Sequence, residues 1–291
     1  MILRALTALV LMPAVLYLVL WAPDWLFMAA LLAVVLRAVF EYFEVSRAAG
    51  LSAFRWLGYA ACAALCLAQW ADVRWFGGSG SGGTTAVILV SLTIPVALTI
   101  LLVWTRELHD YADAASTTLF GIFYVGLSLS WLVPLRFPSG AIAQAVAPIM
   151  PPGQILLFLF LVIWAGDIFA YLVGRGFGRV LLFPRISPKK TLEGSLGGLA
   201  GSLLVAWFLA RWWKAPDLKT TLVLAGVVAI AGQAGDLVES ALKRSADLKD
   251  SASLLPGHGG MLDRVDSLIL SAPVLWAALA VKSLLAPLVI H

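Results

Sequence analysis

Residues 155–173 read Ile155-Leu-Leu-Phe-Leu-Phe-Leu-Val-Ile-Trp-Ala-Gly-Asp167-Ile-Phe-Ala-Tyr-Leu-Val173. It is apolar throughout, except for one carboxylate in its second half. Because a helix rises about 1.5 Å per residue, about 20 such residues cross the hydrocarbon core of a bilayer. The stretch therefore predicts a transmembrane helix with one ionisable group inside it.

The rest of the chain repeats this pattern. Of its 291 residues, 62% are hydrophobic and 12% are charged, and the mean hydropathy is +0.96. A soluble domain carries about 45–50% apolar and about 25% charged residues, so we expect lipid to be the solvent for most of the chain. The expected fold is all-α, a polytopic integral membrane helical bundle of about nine transmembrane helices. The expected spans are 5–22, 25–43, 56–71, 84–104, 117–135, 153–174, 195–213, 220–240 and 267–289.

These spans fall into two regions. Residues 1–150 hold about five N-terminal spans, and residues 151–291 hold the others together with polar loops at 175–193 and 241–266. The apolar run after Arg4 is too long for a signal peptide and lacks a small-residue cleavage site, so it predicts an uncleaved first span. The net charge of +4 does not indicate a nucleic-acid partner, because the basic residues lie in short loops between spans.

The basic residues also predict the orientation. With a cytoplasmic N-terminus, thirteen Lys and Arg residues fall in inside loops and five in outside loops. This asymmetry follows the positive-inside rule for a multi-pass protein of the cell inner (plasma) membrane. The loops 175–193 and 241–266 then share the cytoplasmic side, where we expect the active site.

Several polar residues lie inside the apolar runs, where they need a physical reason. Arg37 and Glu41 are one helical turn apart, which predicts an ion pair facing the bundle interior. Asp167 is either a buried side chain bonded to a neighbouring helix or a functional group. Cys62 and Cys66 predict two small residues packed within a helix and not a disulfide.

A glycine-rich helix end and a basic loop follow Asp167. The glycines at 174, 176 and 178 would let the backbone approach phosphates closely. Lys189 and Lys190 follow a proline turn and would suit a substrate rich in phosphate oxygens. The alternative is a loop that only fixes topology or binds anionic headgroups.

The third polar cluster predicts a metal site. One stripe of a helix leaving the membrane carries Asp236, Glu239, Ser240 and Lys243. Asp263 and Asp266 would share a face at the start of the last span. Mg²⁺ typically binds through one or two carboxylates plus substrate phosphates, whereas the alternative is a solvated loop with ordinary salt bridges. The residues alone thus predict a metal-assisted phosphoryl or nucleotidyl transfer at the cytoplasmic face, on a lipid.

The same cluster carries a family resemblance. The pattern Ser240-x-Leu-Lys243-Arg244-x4-Lys249-Asp250-x6-Gly257-His258-Gly-Gly-x2-Asp263-Arg264-x-Asp266 resembles the signature of phosphatidate cytidylyltransferases, also called CDP-diacylglycerol synthases. The segments Asp167-x3-Tyr171-x2-Gly174-Arg175 and Ile186-Ser-Pro-Lys-Lys-Thr-x-Glu-Gly194 are similar to two other polar segments of that family. The matches cover about residues 160–270, and they depart from the family at Leu192, where Trp is frequent.

The resemblance implies a Mg²⁺-dependent reaction in which CTP and phosphatidate, that is phosphatidic acid, give CDP-diacylglycerol and pyrophosphate. It implies that Asp236 and Asp263 hold Mg²⁺ and that Asp266, also counted as a metal ligand, supports the metal centre or a second, monovalent cation. It implies phosphate neutralisation by Lys243, Arg244, Lys249 and Arg264. Ser240, Asp250, Lys189, Lys190 and Asp167 are expected to line the substrate site. His258 is expected to be either a base or a residue that orients its loop, and a homodimer is expected.

Three alternative functions are considered beside the cytidylyltransferase. A transporter would also carry broken helices and an intramembrane carboxylate, but here the charged groups concentrate at one face. A CDP-alcohol phosphotransferase would carry D-x2-D-G-x2-A-R, which the sequence lacks. A CTP-dependent polyprenol or phytol kinase would use the same nucleotide and metal, but it would release CDP and not pyrophosphate.

Overall fold

Helices dominate the fold. A computed structural model describes residues 12–75, 82–104, 108–151, 153–248, 251 and 259–285. Residues 12–20 are helical, and the helices that follow are α1 (Asp24–Ala48), α2 (Arg55–Trp75), α3 (Gly82–Trp104), α4 (Leu108–Gly121), a π-helix (Ile122–Leu127), α5 (Ser128–Ser130), α6 (Leu132–Arg136), α7 (Gly140–Val146), α8 (Ile155–Phe177), α9 (Leu192–Trp212), α10 (Leu218–Ser245) and α11 (Leu262–Leu285). Between α8 and α9, strands β1 (Leu181–Phe183) and β2 (Ser187–Thr191) form an antiparallel hairpin.

Six helical segments within the described ranges are long and apolar enough to cross a membrane. They are Asp24–Ala48, Asp110–Arg136, Ile155–Phe177, Leu192–Trp212, Leu218–Ser245 and Leu262–Leu285. The predicted span 56–71 is helical but not among the six, and within 84–104 the apolar helix is the shorter Ile88–Val103. Much of the predicted span 5–22 lies outside the described residues. The multi-pass helical character is confirmed, whereas the count of about nine is not.

The chain divides into two compact units. The first comprises Met1–Val133 and Ala241–Val265, and the second comprises Pro134–Ser240 and Asp266–His291. Both α10 and α11 therefore contribute residues to each unit.

The first unit is built around α1, α2 and the π-helix. Phe43 of α1 is buried and lies against Gly58 of α2, where a side chain would collide with its ring. Cys62 packs against Gly126 of the π-helix, and both it and Cys66 are free, buried thiols, as the sequence predicts. Tyr42 donates a hydrogen bond of 3.0 Å to the Thr117 carbonyl, which satisfies its hydroxyl inside the apolar packing.

The second unit is organised by the close packing of α8 on α9. An added Cβ at Gly198 would lie 2.8 Å from the Gly166 carbonyl oxygen and 3.0 Å from the Ala170 Cβ. The Ser202 hydroxyl donates to the Val162 carbonyl at 2.8 Å, so a polar side chain also joins the two helices. Small residues and interhelical hydrogen bonds are the usual means of helix association in lipid, where the hydrophobic effect between helices is absent.

Exposed tryptophans mark several helix ends. Trp25 and Trp56 lie at the starts of α1 and α2, and Trp75 and Trp212 lie at the ends of α2 and α9. Each of these side chains is more than half exposed, with Trp56 at 83%. Tryptophan is enriched at membrane–water interfaces, so the positions of Trp25 and Trp212, at the ends of two of the six apolar helices, are typical of spans that end at headgroup level.

Candidate active site

A cavity of about 640 Å³ opens in the second unit between α8, α9, α10 and the hairpin. Its polar lining includes Asp167 from α8, Lys189 and Lys190 from β2, and Gln233 and Asp236 from α10. The remaining wall is largely apolar or glycine, with Ile163, Gly166, Ala170, Gly194, Ala229 and Leu237. The structure therefore brings together charged residues that the sequence places in three separate segments.

Three carboxylates and Lys190 interact in one cluster at this cavity. Asp167, Asp236 and Asp266 are close enough to interact electrostatically, and Lys190 interacts with all three. Lys190 forms an ion pair with Asp236, and each side chain is 31% exposed. Asp266 reaches this position because its backbone carbonyl lies directly against Gly235, where a side chain would collide with it. The three carboxylates and Lys190 therefore form one electrostatically interacting cluster, and Lys189 and Arg175 line the same cavity.

Two of these carboxylates are candidate metal ligands. Within the described ranges, no three His, Cys, Asp or Glu side chains come together as a metal site of their own. Mg²⁺ does not need such a cage, because it usually keeps one or two carboxylates and takes its other ligands from water and substrate phosphates. Asp236 and Asp266 provide two hard oxygen donors of that kind.

The hairpin places Lys190 over the cavity because both of its ends are anchored. Thr191 caps the start of α9 by accepting a hydrogen bond of 3.1 Å from the Gly194 amide. Glu193 accepts hydrogen bonds from the Arg179 amide at 3.1 Å and the Val180 amide at 3.2 Å. An added Cβ at Gly174 would lie 3.2 Å from the Thr191 hydroxyl, so that glycine serves close packing of α8 on the hairpin.

Gln233 and Ser195 also line the cavity, although neither is among the residues predicted from sequence to form the site. The Ser195 hydroxyl hydrogen-bonds the Gln233 carbonyl oxygen, and the Gln233 amide donates to the Ser195 carbonyl at 3.0 Å. A polar amide inside the apolar span 220–240 is the same signal that identified Asp167, and it applies equally to Gln233.

A second polar cluster lies in the first unit and is centred on Asp263. Its Oδ1 accepts from Lys243 Nζ at 2.6 Å. Its Oδ2 accepts from the Gly260 amide at 2.7 Å and from the Ser251 amide at 3.1 Å, and it lies 3.0 Å from the Ser251 hydroxyl. Asp263 stands in the first turn of α11, where a carboxylate also stabilises the helix dipole.

Gly259 and Gly260, which precede Asp263, are each required for a different physical reason. Gly259 adopts φ +74°, a left-handed conformation that favours glycine, and an added Cβ would lie 2.6 Å from Asp263 Oδ2. At Gly260 an added Cβ would collide with the Ser251 hydroxyl and the Glu41 carboxylate. The double glycine therefore lets the backbone approach two carboxylates.

Comparison with known proteins identifies the family. The model of the cytidylyltransferase family matches residues 2–282. This chain belongs to the cytidylyltransferase family. A phosphatidate cytidylyltransferase of Synechocystis is 35% identical over 285 residues, 87% of each chain. The chloroplastic phosphatidate cytidylyltransferase 5 of Arabidopsis thaliana is 34% identical over 88% of this chain and 66% of its own. A phosphatidate cytidylyltransferase of Brucella abortus is 44% identical over 163 residues, 54% of each chain.

The family membership confirms the resemblance, and the structure divides the predicted site residues of this cytidylyltransferase into two groups. Asp167, Lys189, Lys190, Asp236, Ser240 and Asp266 belong to the second unit, whereas Lys243, Arg244, Asp263 and Arg264 belong to the first. Among the three predicted metal ligands, the structure thus brings together Asp236 and Asp266, and it places Asp263 with Lys243.

The other predicted residues lie in several different environments, and some fall outside the described residues. Ser240 lies 3.5 Å from Asp236, which is a long hydrogen bond. Arg244 and Arg264 are exposed, and Arg244 donates to the Leu248 carbonyl at 3.0 Å. Glu239, which the sequence places on the same stripe as Asp236, is only 1% exposed. Lys249, Asp250 and His258 lie outside the described residues.

Proposed function

We propose that this chain is a phosphatidate cytidylyltransferase, which converts CTP and phosphatidate into CDP-diacylglycerol and pyrophosphate. Its family membership and the names of its relatives support this proposal. The observation that carries it is the cavity in the second unit, where lysines and carboxylates meet between helices that are long and apolar enough to span a membrane. A transporter or a lipid kinase has no comparable support from the relatives.

The cavity suits a lipid that carries a phosphate. Ile168 and Leu172 of α8 and Leu196 of α9 lie close in sequence to the cavity residues, and each is more than half exposed. Apolar side chains of this kind would contact acyl chains, while Lys189 and Lys190 would contact the phosphate. The substrate would therefore reach the cavity from the bilayer.

In the proposed reaction, a phosphate oxygen of phosphatidate forms a bond to the α-phosphorus of CTP. The bond from that phosphorus to the oxygen bridging to the β-phosphorus breaks, and its electron pair leaves on pyrophosphate. A phosphomonoester is already largely anionic at neutral pH, because its second pKa is near 6, so no strong general base is required. His258 would orient its loop or serve as a base.

The chain's residues would mainly orient and neutralise the substrates. Lys189 and Lys190 would hold phosphate oxygens at the cavity, and Lys243, Arg244, Lys249 and Arg264 would offset the remaining phosphate charge. Asp236 and Asp266 would hold Mg²⁺, and Asp263 would join them as the resemblance implies. When bound, the ion would supply charge stabilisation at the transferring and departing phosphates.

We further propose the setting of this chemistry. The positive-inside asymmetry supports a multi-pass protein of the inner (plasma) membrane with its active site facing the cytoplasm, where CTP is found. The homodimer and a second, monovalent cation remain proposals that rest on the family resemblance.

A turnover assay in detergent micelles tests the proposed activity. It would combine α-³²P-labelled CTP, dioleoyl phosphatidate and Mg²⁺ with the wild type, with Asp236→Asn, and with Asp24→Asn. Asp24→Asn is the matched control, because Asp24 lies at the start of α1, outside the cavity, with its side chain 46% exposed. We expect label in the lipid phase and released pyrophosphate for the wild type and the control, with at least about a hundredfold loss in Asp236→Asn. Label remaining in water as CDP would indicate a lipid kinase, and no consumption of CTP would favour the transporter.

A further inference from the structure

Among the described residues of the first unit, Glu41 is the most deeply buried carboxylate. It lies on α1, within an apolar span, and its side chain is 0% exposed. Its Oε1 pairs with Arg37 Nη2 at 3.1 Å, which confirms the ion pair predicted from the sequence. A buried charge of this kind needs further hydrogen bonds to be stable, and the partners it finds are distant in the sequence.

The other oxygen of Glu41 contacts the segment that carries the family signature. Glu41 Oε2 accepts a hydrogen bond of 2.8 Å from the Leu262 amide, 221 residues away. It also lies 2.9 Å from the Ser251 hydroxyl, 210 residues away. Leu262 is the first residue of α11, so the carboxylate satisfies an amide that has no partner within the helix.

Glu41 and Asp263 are joined through a shared hydroxyl. The Ser251 oxygen lies 2.9 Å from Glu41 Oε2 and 3.0 Å from Asp263 Oδ2. A serine hydroxyl has a single hydrogen, so it can donate to one of these carboxylates at a time. Any change at Glu41 therefore alters the hydrogen bonding of Asp263, although the two residues are not themselves hydrogen-bonded partners in the described contacts.

The same contacts hold the residues on both sides of 252–258, within the segment 240–266 that carries the family signature. Ser251 precedes residues 252–258, and Gly260 and Leu262 follow them. Glu41 and Asp263 together bind Ser251, Gly260 and Leu262, all by hydrogen bonds within the first unit. The Lys243–Asp263 pair is thus oriented by a framework whose anchor lies on α1.

We propose that Glu41 is a positioning residue for the Lys243–Asp263 pair, which it orients through Ser251 and the start of α11. The inference rests on the proposed function, in which Lys243 and Asp263 act on the phosphates and the metal. Glu41 itself contacts neither substrate in this account. Glu41 affects kcat by keeping Lys243 and Asp263 in place, because a misplacement of about 1 Å in a catalytic group can lower turnover by about a hundredfold.

The test compares two isosteric variants on the same helix. Glu41→Gln keeps the shape of the side chain but cannot both accept from Leu262 and Ser251 and pair with Arg37. Glu44→Gln is the matched control, because Glu44 forms ion pairs of 2.5 Å with Arg47 and Arg55 and contacts none of the residues 251–263 in the described structure. We expect kcat to fall about 10- to 100-fold in Glu41→Gln, with the KM for phosphatidate changed less than about twofold. The control should keep the wild-type kcat.

A double variant separates positioning from general stability. Ser251→Ala removes only the shared hydroxyl and serves if Glu41→Gln does not fold. We expect Glu41→Gln/Ser251→Ala to be no slower than the slower single variant, because both changes disrupt one framework. Independent, multiplicative losses would contradict the proposal, as would a normal kcat in folded Glu41→Gln whose only defect is a lowered Tm.

A readout without turnover keeps the inference distinct from the proposed function. Limited trypsin digestion of the detergent-solubilised protein would follow cleavage after Lys249, next to the bonded Ser251. We expect faster cleavage at that bond in Glu41→Gln than in Glu44→Gln or the wild type. If the wild type transfers no cytidylyl group, the proposed function fails, whereas equal cleavage rates in all three proteins would overturn the positioning framework.

Discussion

Lys190 is the residue on which the cavity chemistry depends most directly. It is the only cation of the cavity with an ion pair in the described structure, and its partner Asp236 is a proposed metal ligand. The side chain is 31% exposed, so it is accessible to a substrate phosphate. Exchange of its carboxylate partner for a phosphate would leave Asp236 available to a metal.

The first prediction is that Lys190→Gln lowers kcat/KM by about a hundredfold or more, because a positioned charge at the reacting phosphates is lost. Lys219→Gln, an exposed lysine of α10 outside the cavity, should match the wild type. The measurement is the steady-state rate of CTP-dependent label transfer to phosphatidate. An unchanged rate in Lys190→Gln would remove this lysine from the site.

The sequence identifies single charged residues of the site but not the residues that they contact. Asp167, Asp236 and Lys190 stand out because charges inside or beside apolar runs are costly. The contact between Glu41 and Ser251 spans 210 residues, and no local pattern of spacing or propensity encodes it. Gln233 carries the same intramembrane signal as Asp167, but a prediction that considers only ionisable groups inside the spans omits it.

At the scale of elements, α8 and α9 approach each other through glycines. Gly198 faces backbone on the opposite helix, since an added Cβ would lie 2.8 Å from the Gly166 carbonyl oxygen. Backbone atoms cannot rotate aside as a side chain can, so the helices themselves would have to move. Lys190 and Asp167 are attached to these two helices and would move with them.

The second prediction is that Gly198→Ala destabilises the folded protein by about 1–3 kcal/mol through overpacking. Gly226→Ala is the matched control in α10, because its Cβ would meet only Leu203 Cδ2 at 3.8 Å. The control should be neutral or slightly stabilising, since alanine favours a helix interior over glycine. The Tm of each variant in detergent measures its stability. Equal Tm values for Gly198→Ala and Gly226→Ala would contradict the close packing of α8 on α9.

The start of α10 and the end of α11 are joined by an ion pair. Lys282 Nζ lies 2.8 Å from Asp217 Oδ2, and the Asp217 side chain is 33% exposed. Desolvation alone would raise the pKa of Asp217, but hydrogen bonds from Lys282 and Thr220 outweigh it and lower the pKa to about 2. A carboxyl with a lowered folded-state pKa stabilises the fold above its unfolded pKa of about 3.9.

The third prediction follows from the lowered pKa of Asp217. Asp217→Asn should lower stability at pH 7 by less than about 1 kcal/mol, because the partly exposed pair is screened by solvent. The difference from the wild type should persist down to about pH 4 and shrink as the pH falls toward 2. Chemical denaturation at several pH values measures it. A difference that does not change across this pH window would exclude the Asp217 carboxylate as its source.

The elements themselves are predicted unevenly by the sequence. Apolar runs of about 20 residues correctly predict the five long helices α1 and α8–α11, because length and hydropathy suffice for a span. The sequence does not predict the hairpin, because Pro184 and Pro188 and the shortness of β1 and β2 are typical of a loop. The long segment Asp110–Arg136 contains a π-helix at Ile122–Leu127, and no composition rule predicts a change of hydrogen-bond register.

At the scale of the whole molecule, orientation in the membrane is the property with the clearest test. The sequence puts Arg185, in the hairpin turn, on the cytoplasmic side and Lys214, after α9, on the opposite side. Both side chains are exposed. The chain has two cysteines, Cys62 and Cys66, and both are buried, so new cysteines can be labelled above a low background.

The fourth prediction is that, in intact cells, a membrane-impermeant maleimide labels Lys214→Cys but not Arg185→Cys. Labelling of Arg185→Cys should require permeabilised cells. The wild type serves as the control for background from the buried thiols. The reverse pattern would place the cavity loops on the outer face and would remove the support for a cytoplasmic active site.

The burial of Glu41 also has a consequence for how the protein is made. Its partners Ser251 and Leu262 are synthesised more than 200 residues after it. At a synthesis rate of about 5–20 residues per second, α1 waits roughly 10–40 s for them. During that interval Arg37, one turn away, is the partner already present in the same helix.

We expect nascent chains that end at residue 248 to be degraded faster in a pulse-chase than full-length chains. We also expect Glu41→Leu to lengthen the lifetime of the truncated form. On this expectation, the carboxylate proposed to orient the finished site would mark the unfinished protein for degradation until α11 has been synthesised.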